Sequence, residues 1–244
     1  LVTPNFLRKY RKYSVVIVLI IAAIVTPPDV VSQIIVAIPM LLIYEASIFI
    51  SSIVYNCENV NFFIFTTNFS KLNELKLTQF IEGKKSHVNF IYIDDFLVKH
   101  FPMSSLASSH ISITTYLRLF AEVMLPKDIK KVIYLDSDII VRQSLIELWE
   151  IELDNFAVAA VYQNNEWAIN NNSYKRLGYE EKYGYFNAGV LLINLEYWRS
   201  ENISNKLFKF LQNNYNSIIS HDQDVLNAVL YKVTMPLKCK WNVL

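Results

Sequence analysis

From about Tyr55 onward, short apolar runs rich in β-branched and aromatic residues alternate with longer stretches of helical periodicity. This alternation constrains the fold more than any other feature. Strands separated by helices connect through right-handed crossovers and build an open, largely parallel sheet with helices packed against it. Val60 to Thr66, Val88 to Ile93, Val132 to Leu135, Ala157 to Tyr162 and Gly189 to Asn194 read as buried strands. Ser70 to Ile81, Ser112 to Met124, Tyr197 to Leu211 and Asp222 to Leu230 read as helices, the second ending before Pro126. The expected class is α/β, with a mostly parallel sheet and flanking helices. Ligands of such sheets sit beyond the carboxyl ends of strands, and Asp136 follows Val132–Leu135 directly.

The first fifty residues are of another kind. Hydrophobic residues make up 53% of the chain, and much of that excess lies here. Arg8, Lys9, Arg11 and Lys12 precede an apolar run from Ser14 to Val25. Thr26-Pro27-Pro28-Asp29 then interrupts any helix, and a second apolar stretch runs from Val30 to Ile50. The first run falls short of the roughly 20 residues that cross a bilayer; the second is about long enough. The expectation is a hydrophobic helical hairpin over residues 1–51 that meets a membrane through residues 13–50, ahead of a domain over 52–244. A signal peptide fits less well, because no small-residue cleavage site follows; a buried hairpin of a soluble core is the remaining alternative. The basic cluster would stay cytoplasmic, placing the downstream domain on the cytoplasmic side of a bacterial inner membrane. Arg8-Lys9-Tyr10-Arg11-Lys12-Tyr13, Thr26-Pro27-Pro28-Asp29, Ala37-Ile38-Pro39-Met40 and Leu42-Ile43-Tyr44-Glu45 together resemble the last two membrane helices of TatC, a subunit of the twin-arginine translocase. That resemblance covers about Asn5 to Ser51.

Composition excludes some functions. Lys and Arg number 23 against 22 Asp and Glu, a net charge of +1 that argues against a dedicated nucleic-acid binder. Cys57 and Cys239 have no metal-ligand spacing; they read as two reduced thiols, with a single distant disulfide as the alternative. With four glycines, the chain carries no Walker A motif and no dinucleotide fingerprint.

Three segments carry chemistry. Asp136-Ser137-Asp138 places two carboxylates at a strand end, where they can jointly approach one hard cation such as magnesium or manganese. Alone, such a pair also suits a solvated turn. Tyr185 to Asn194 is a core strand in its apolar part, but Asn187 before Ala188-Gly189 puts an amide where it could reach a ligand hydroxyl. His221-Asp222-Gln223-Asp224 opens a helix, and its acids could simply cap the N-terminus.

With Thr115-Tyr116-x-Arg118, these segments resemble glycosyltransferase family 8, the retaining galactosyl- and glucosyltransferases that include lipopolysaccharide enzymes and glycogenins. The matching residues are Tyr134-Leu135-Asp136-Ser137-Asp138, Phe186-Asn187-Ala188-Gly189-Val190 and His221-Asp222-Gln223-Asp224, and the similarity covers about Ser51 to Leu244. It implies a GT-A-like, Rossmann-like fold, a UDP-hexose donor, and manganese or magnesium bound by Asp136 and Asp138. It places Arg118, Asp136, Ser137, Asp138, Asn187, Ala188, Asp222 and Gln223 at the donor, with Asp222 and Gln223 nearest the chemistry. The acceptor it implies is a glycan or lipid-linked saccharide. The chain departs from the family pattern at both ends. The TatC-like hairpin stands where the family has a first strand and a uridine-gripping loop, and none of the four histidines takes the place of a third metal ligand. The expectation is a chimeric or truncated chain, with a translocase-derived fragment carrying an inactive sugar-nucleotide domain as the alternative. Haloacid-dehalogenase phosphatases also place Asp-x-Asp after a strand, but they lack the other two segments and have Thr or Val where Ile140 stands.

Overall fold

A computed structural model describes residues 4–25, 48–66, 69–92 and 113–242 of the chain. It divides into two compact units. One comprises Leu1–Asn61, Gln79–His87 and Asp136–Glu147; the other comprises Phe62–Thr78, Val88–Leu135 and Leu148–Leu244.

In the first unit, α1 spans Pro4–Val25 as a single helix that holds both the basic cluster and the first apolar run. The second arm of the expected hairpin, Val30 to Ile50, lies outside the described residues except for 48–50, which open helix α2 over 48–56. The hairpin as a whole therefore lies largely outside the described residues, and among the described residues no helix is long and apolar enough to cross a membrane. The physical reason lies in α1 itself. Four of its 22 residues are the cations Arg8, Lys9, Arg11 and Lys12, and the apolar run left beside them is shorter than the roughly 20 residues a bilayer requires.

The second unit is built on a four-stranded sheet of order β3-β5-β4-β6: β3 Lys131–Leu135, β4 Val158–Tyr162, β5 Phe186–Asn194 and β6 Thr234–Pro236. A separate two-stranded sheet pairs β1 (Asn61–Thr66) with β2 (His87–Tyr92), and α3 spans Lys71–Glu82 between them in sequence. The expectation of a mostly parallel sheet is corrected here. Within this four-stranded sheet β5 runs antiparallel to both β3 and β4, and the β4–β6 pair is parallel. The connection from β4 to β5 explains why. Helices α5 (Asn165–Asn170) and α6 (Ser173–Leu177) occupy it, yet they do not carry the chain to the far end of the sheet. Tyr162 pairs with Phe186, and the Gln163 amide donates to the Tyr185 carbonyl at 2.9 Å. The chain therefore returns at the end where it left, as in a hairpin with a long excursion, and β5 must run backwards.

The helical expectations hold with two changes. Ser112 to Met124 becomes a 3-10 helix, Ile113–Phe120, running into α4, Ala121–Met124. Tyr197 to Leu211 is two helices, α7 (Leu195–Glu201) and α8 (Ile203–Asn214), broken at Asn202 with φ 53°. Asn tolerates that left-handed conformation better than most residues. α9 follows as His221–Leu230. The core gathers Val158 and Ala160 of β4 and Leu191 and Ile193 of β5 against Leu207 and Leu211 of α8 and Val225, Leu226 and Leu230 of α9. Trp198 of α7 is fully buried among them and donates its indole N–H to the Ala157 carbonyl at 2.9 Å.

Gly184 sets the entry to β5. Its φ of 70° with ψ of −178° is a conformation reserved for glycine. A Cβ there would lie 2.6 Å from the Tyr162 ring. Strain and overlap together predict that Gly184→Ala loses about 2–4 kcal/mol of stability, read by urea unfolding. A loss below about 0.5 kcal/mol would show that the turn has room to relax.

Candidate active site

Three sequence-distant segments of the second unit meet where α9 packs on the start of β5. Asn227 joins them: its Oδ1 accepts from the Phe186 amide at 2.8 Å, and its Nδ2 donates to the Phe186 carbonyl at 2.9 Å. Two residues further along β5, the backbone of Ala188 is held through both its N–H and its carbonyl. The Ala188 amide donates to Gln223 Oε1 at 2.9 Å, and the Ala188 carbonyl accepts from Arg118 Nη1 at 2.7 Å. Arg118, on the 3-10 helix, also meets Asp222 Oδ2 through Nε at 2.8 Å, with side chains only 9% and 7% exposed. Its guanidinium lies over the Tyr134 ring, 4.1 Å from the centroid. Arg118, Asn187, Ala188, Asp222 and Gln223, all expected from the sequence, are thus brought into one cluster.

The two side-chain amides of this cluster have fixed polarity, because a backbone N–H can only donate. The Gly189 amide donates to Asn187 Oδ1 at 2.7 Å, and Asn242 Nδ2 donates to the same oxygen at 2.6 Å. Asn187 therefore offers Nδ2, a donor, to a ligand. Gln223 is committed differently. With Oε1 on the Ala188 amide, its Nε2 donates to Tyr185 Oη at 3.2 Å.

Asp224 has no exposed side-chain surface and accepts from five donors. Oδ2 takes Arg176 Nη1 at 2.6 Å, the Ile219 amide at 2.7 Å and the Ser220 amide at 2.8 Å. Oδ1 takes Tyr185 Oη at 2.7 Å and Arg176 Nη2 at 3.3 Å. Burial alone would raise the Asp224 pKa, but Arg176, the two amides and the Tyr185 hydroxyl hold it below the usual carboxylate value. The same surroundings keep the phenols protonated. Burial, then Tyr215 and the Asp222 and Asp224 carboxylates, pushes Tyr116 up to about 12. Burial, then the Asp224 charge, raises Tyr185 as well.

Asp136, Ser137 and Asp138 belong to the first unit. They form a turn in which the Ile139 amide donates to the Asp136 carbonyl at 3.1 Å; Ser137 and Asp138 are exposed and Asp136 half-buried. Just beyond, α2 grips the chain. Ser52 Oγ accepts from the Val141 amide at 2.9 Å, and Asn56 Nδ2 donates to the Val141 carbonyl at 2.9 Å. Among the described residues, no group of three or more His, Cys, Asp or Glu gathers to hold a metal. Two carboxylates on a solvent-facing turn nevertheless fit a magnesium- or manganese-type ion, which is commonly bound by one or two carboxylates, water and substrate phosphates.

The sequence reading missed Arg176, Tyr185, Asn227, Asn242, Ser52 and Asn56. One of them left a signal. Asn227 lies four residues after Gln223 on the same helical face and directly follows Val225-Leu226, so a polar residue stands on a side that should be core. The others act across long sequence separations and leave none.

A family model described as glycosyl transferase family 8 matches residues 6–244. The chain belongs to glycosyl transferase family 8. The family match begins at residue 6 and takes in the stretch that resembled TatC, so the translocase resemblance is not carried forward. A putative glycosyltransferase of Haemophilus influenzae is 34% identical over 182 residues, covering 74% of this chain and 53% of that protein. The lipopolysaccharide 1,2-glucosyltransferase of Escherichia coli K12 is 28% identical over 198 residues, covering 80% and 57%. This chain spans about half the length of the curated relatives it matches. Among solved structures, galactosyltransferase LgtC in complex with donor and acceptor sugar analogs matches with a TM-score of 0.70 at 27% identity, covering 80% of this chain and 69% of LgtC. A GT-A-like fold with a mixed sheet follows from that likeness.

Proposed function

We propose that this chain transfers a hexose, glucose or galactose, from a UDP-sugar to a glycan or lipopolysaccharide-type acceptor, with retention at the anomeric carbon. One observation carries this reading: family membership coincides with a built polar cluster in which Arg118, Ala188, Asp222 and Gln223 are held together, with Asn187 next to Ala188 in the chain. The relatives named for lipopolysaccharide glucosyl transfer and for galactosyl transfer supply the substrate class.

Each residue has a part. Asn187 presents its Nδ2 to a sugar hydroxyl. Asp222, held by Arg118, presents a carboxylate of fixed orientation to the donor sugar. Arg118 is itself paired and buried, so it shapes the pocket through Asp222 and the Ala188 carbonyl. Gln223 is a poor nucleophile, the more so with Oε1 bound to the Ala188 amide, and front-side attack by the acceptor hydroxyl is the step this arrangement favours. Asp136 and Asp138 would hold manganese or magnesium. When bound, such an ion neutralises charge on the departing diphosphate.

The test is the melting temperature of the chain with UDP and manganese, beside an Asp136→Asn/Asp138→Asn variant. A ligand present at about 100 times its Kd stabilises the folded state by roughly 2.7 kcal/mol. A shift that needs manganese and vanishes in the variant is the expected result. No shift in a folded chain would overturn the donor assignment.

A further inference from the structure

The cluster described above contains a chain of hydrogen bonds whose direction is forced at every link. The Ala188 amide donates to Gln223 Oε1 at 2.9 Å, so the other end of that side chain must be its NH2 group. That group donates to Tyr185 Oη at 3.2 Å. Tyr185 has one proton, and it goes to Asp224 Oδ1 at 2.7 Å. Asp224 is fixed in turn by Arg176, whose Nη1 also donates to the Ser217 carbonyl and whose Nη2 donates to Ser173 Oγ at 3.3 Å. No link can reverse without leaving a buried donor facing a donor or an acceptor facing an acceptor.

From this we infer that Tyr185, by direct contact, and Arg176, acting through Asp224 and Tyr185, are positioning residues that fix the rotamer and polarity of the Gln223 amide. The inference rests on the transferase reading for its functional consequence, but its structural content stands apart from it. Asp222-Gln223-Asp224 then divides into two roles: Asp222 and Gln223 face the Arg118–Ala188 cluster, and Asp224 anchors them from behind. Arg176 comes from the excursion between β4 and β5. That excursion is therefore part of the site's support and not merely a connection.

The relay is tested first without activity. In the 15N-labelled full chain, the Gln223 side-chain NH2 resonances are identified by their disappearance in Gln223→Ala. Their hydrogen exchange is expected to speed about tenfold or more in Tyr185→Phe, which keeps the ring and removes only the hydroxyl. An unchanged exchange rate overturns the relay. Arg176→Met is expected to give the same acceleration and Arg176→Lys a smaller one. Equal rates for Lys and wild type would remove the guanidinium from the chain of contacts.

The second arm is kinetic, with UDP-glucose and UDP-galactose as donors and manganese present. Tyr185→Phe is expected to lower kcat about tenfold with the donor KM within about twofold, and to have no further effect in a Gln223→Ala background. Additive losses in the double variant overturn positioning through Gln223. A wild-type chain with no turnover sinks the transferase reading, while the exchange measurement still decides the relay.

Discussion

Replacing Arg118 with methionine is expected to lower the free energy of unfolding by about 3–5 kcal/mol. The ion pair to Asp222 is 2.8 Å long and both side chains are more than nine-tenths buried. Methionine restores most of the volume but leaves the Asp222 charge without its cation and the Ala188 carbonyl without its donor. The cost of an uncompensated buried charge dominates over the loss of the attraction itself. For that reason Arg118→Met/Asp222→Asn should recover a large part of the loss, and the two substitutions should be strongly non-additive in urea unfolding at neutral pH. A loss under about 1 kcal/mol for the single variant would mean that the pair behaves as a solvated one.

A comparable loss, about 3–5 kcal/mol, is expected for Asp224→Ala, because five donors lose their acceptor together and two of them are on the charged Arg176 guanidinium. This residue also predicts a pH dependence. Its folded-state pKa is lowered, so the folded chain binds fewer protons there than the unfolded chain does. The stabilisation is fully present above the unfolded value, near 3.9, and is lost as pH falls through the lower folded value. Melting temperature followed from about pH 5 downward should fall more steeply for the wild type than for Asp224→Asn, which does not titrate at this position. Parallel acid profiles would show that Asp224 keeps an ordinary pKa.

Most elements were legible in the sequence because their signals are local. Continuous apolar runs identified β3, β4 and most of β5, and helical spacing identified α3, α8 and α9. The direction of β5 was not local. It depends on where the excursion from Gln163 to Tyr185 returns the chain, and that is seen only in the pairing of Tyr162 with Phe186 and the amide–carbonyl contact between the loop's ends. The break at Asn202 was also hidden, because an apolar helical period continues across it. Of the expected hairpin, the first arm is present as α1 and most of the second lies outside the described residues; apolarity reports the need for cover, and neither its pattern nor its amount says whether lipid or protein provides it. In the site, the resemblance supplied Arg118, Asn187, Asp222 and Gln223, and the structure brings them together. It could not supply which end of each amide faces inward. That polarity follows from the amides of Ala188 and Gly189, whose approach is set only by the folded backbone.

The excursion between β4 and β5 bears on how such chains can diverge. Its two ends are joined to each other, and Ala168, Tyr174, Leu177, Tyr179 and Tyr185 form a small core of their own. A closed loop of this kind can ordinarily change length without disturbing the sheet beneath it. Here the freedom is uneven, because Arg176 must still reach Asp224 and Tyr185 must still lead into Phe186. Insertions or deletions ahead of Trp167 and Ala168 leave both connections in register, whereas a residue gained or lost within 173–185 displaces one of them. Drift in this loop is thus tied to the site everywhere except at its opening residues.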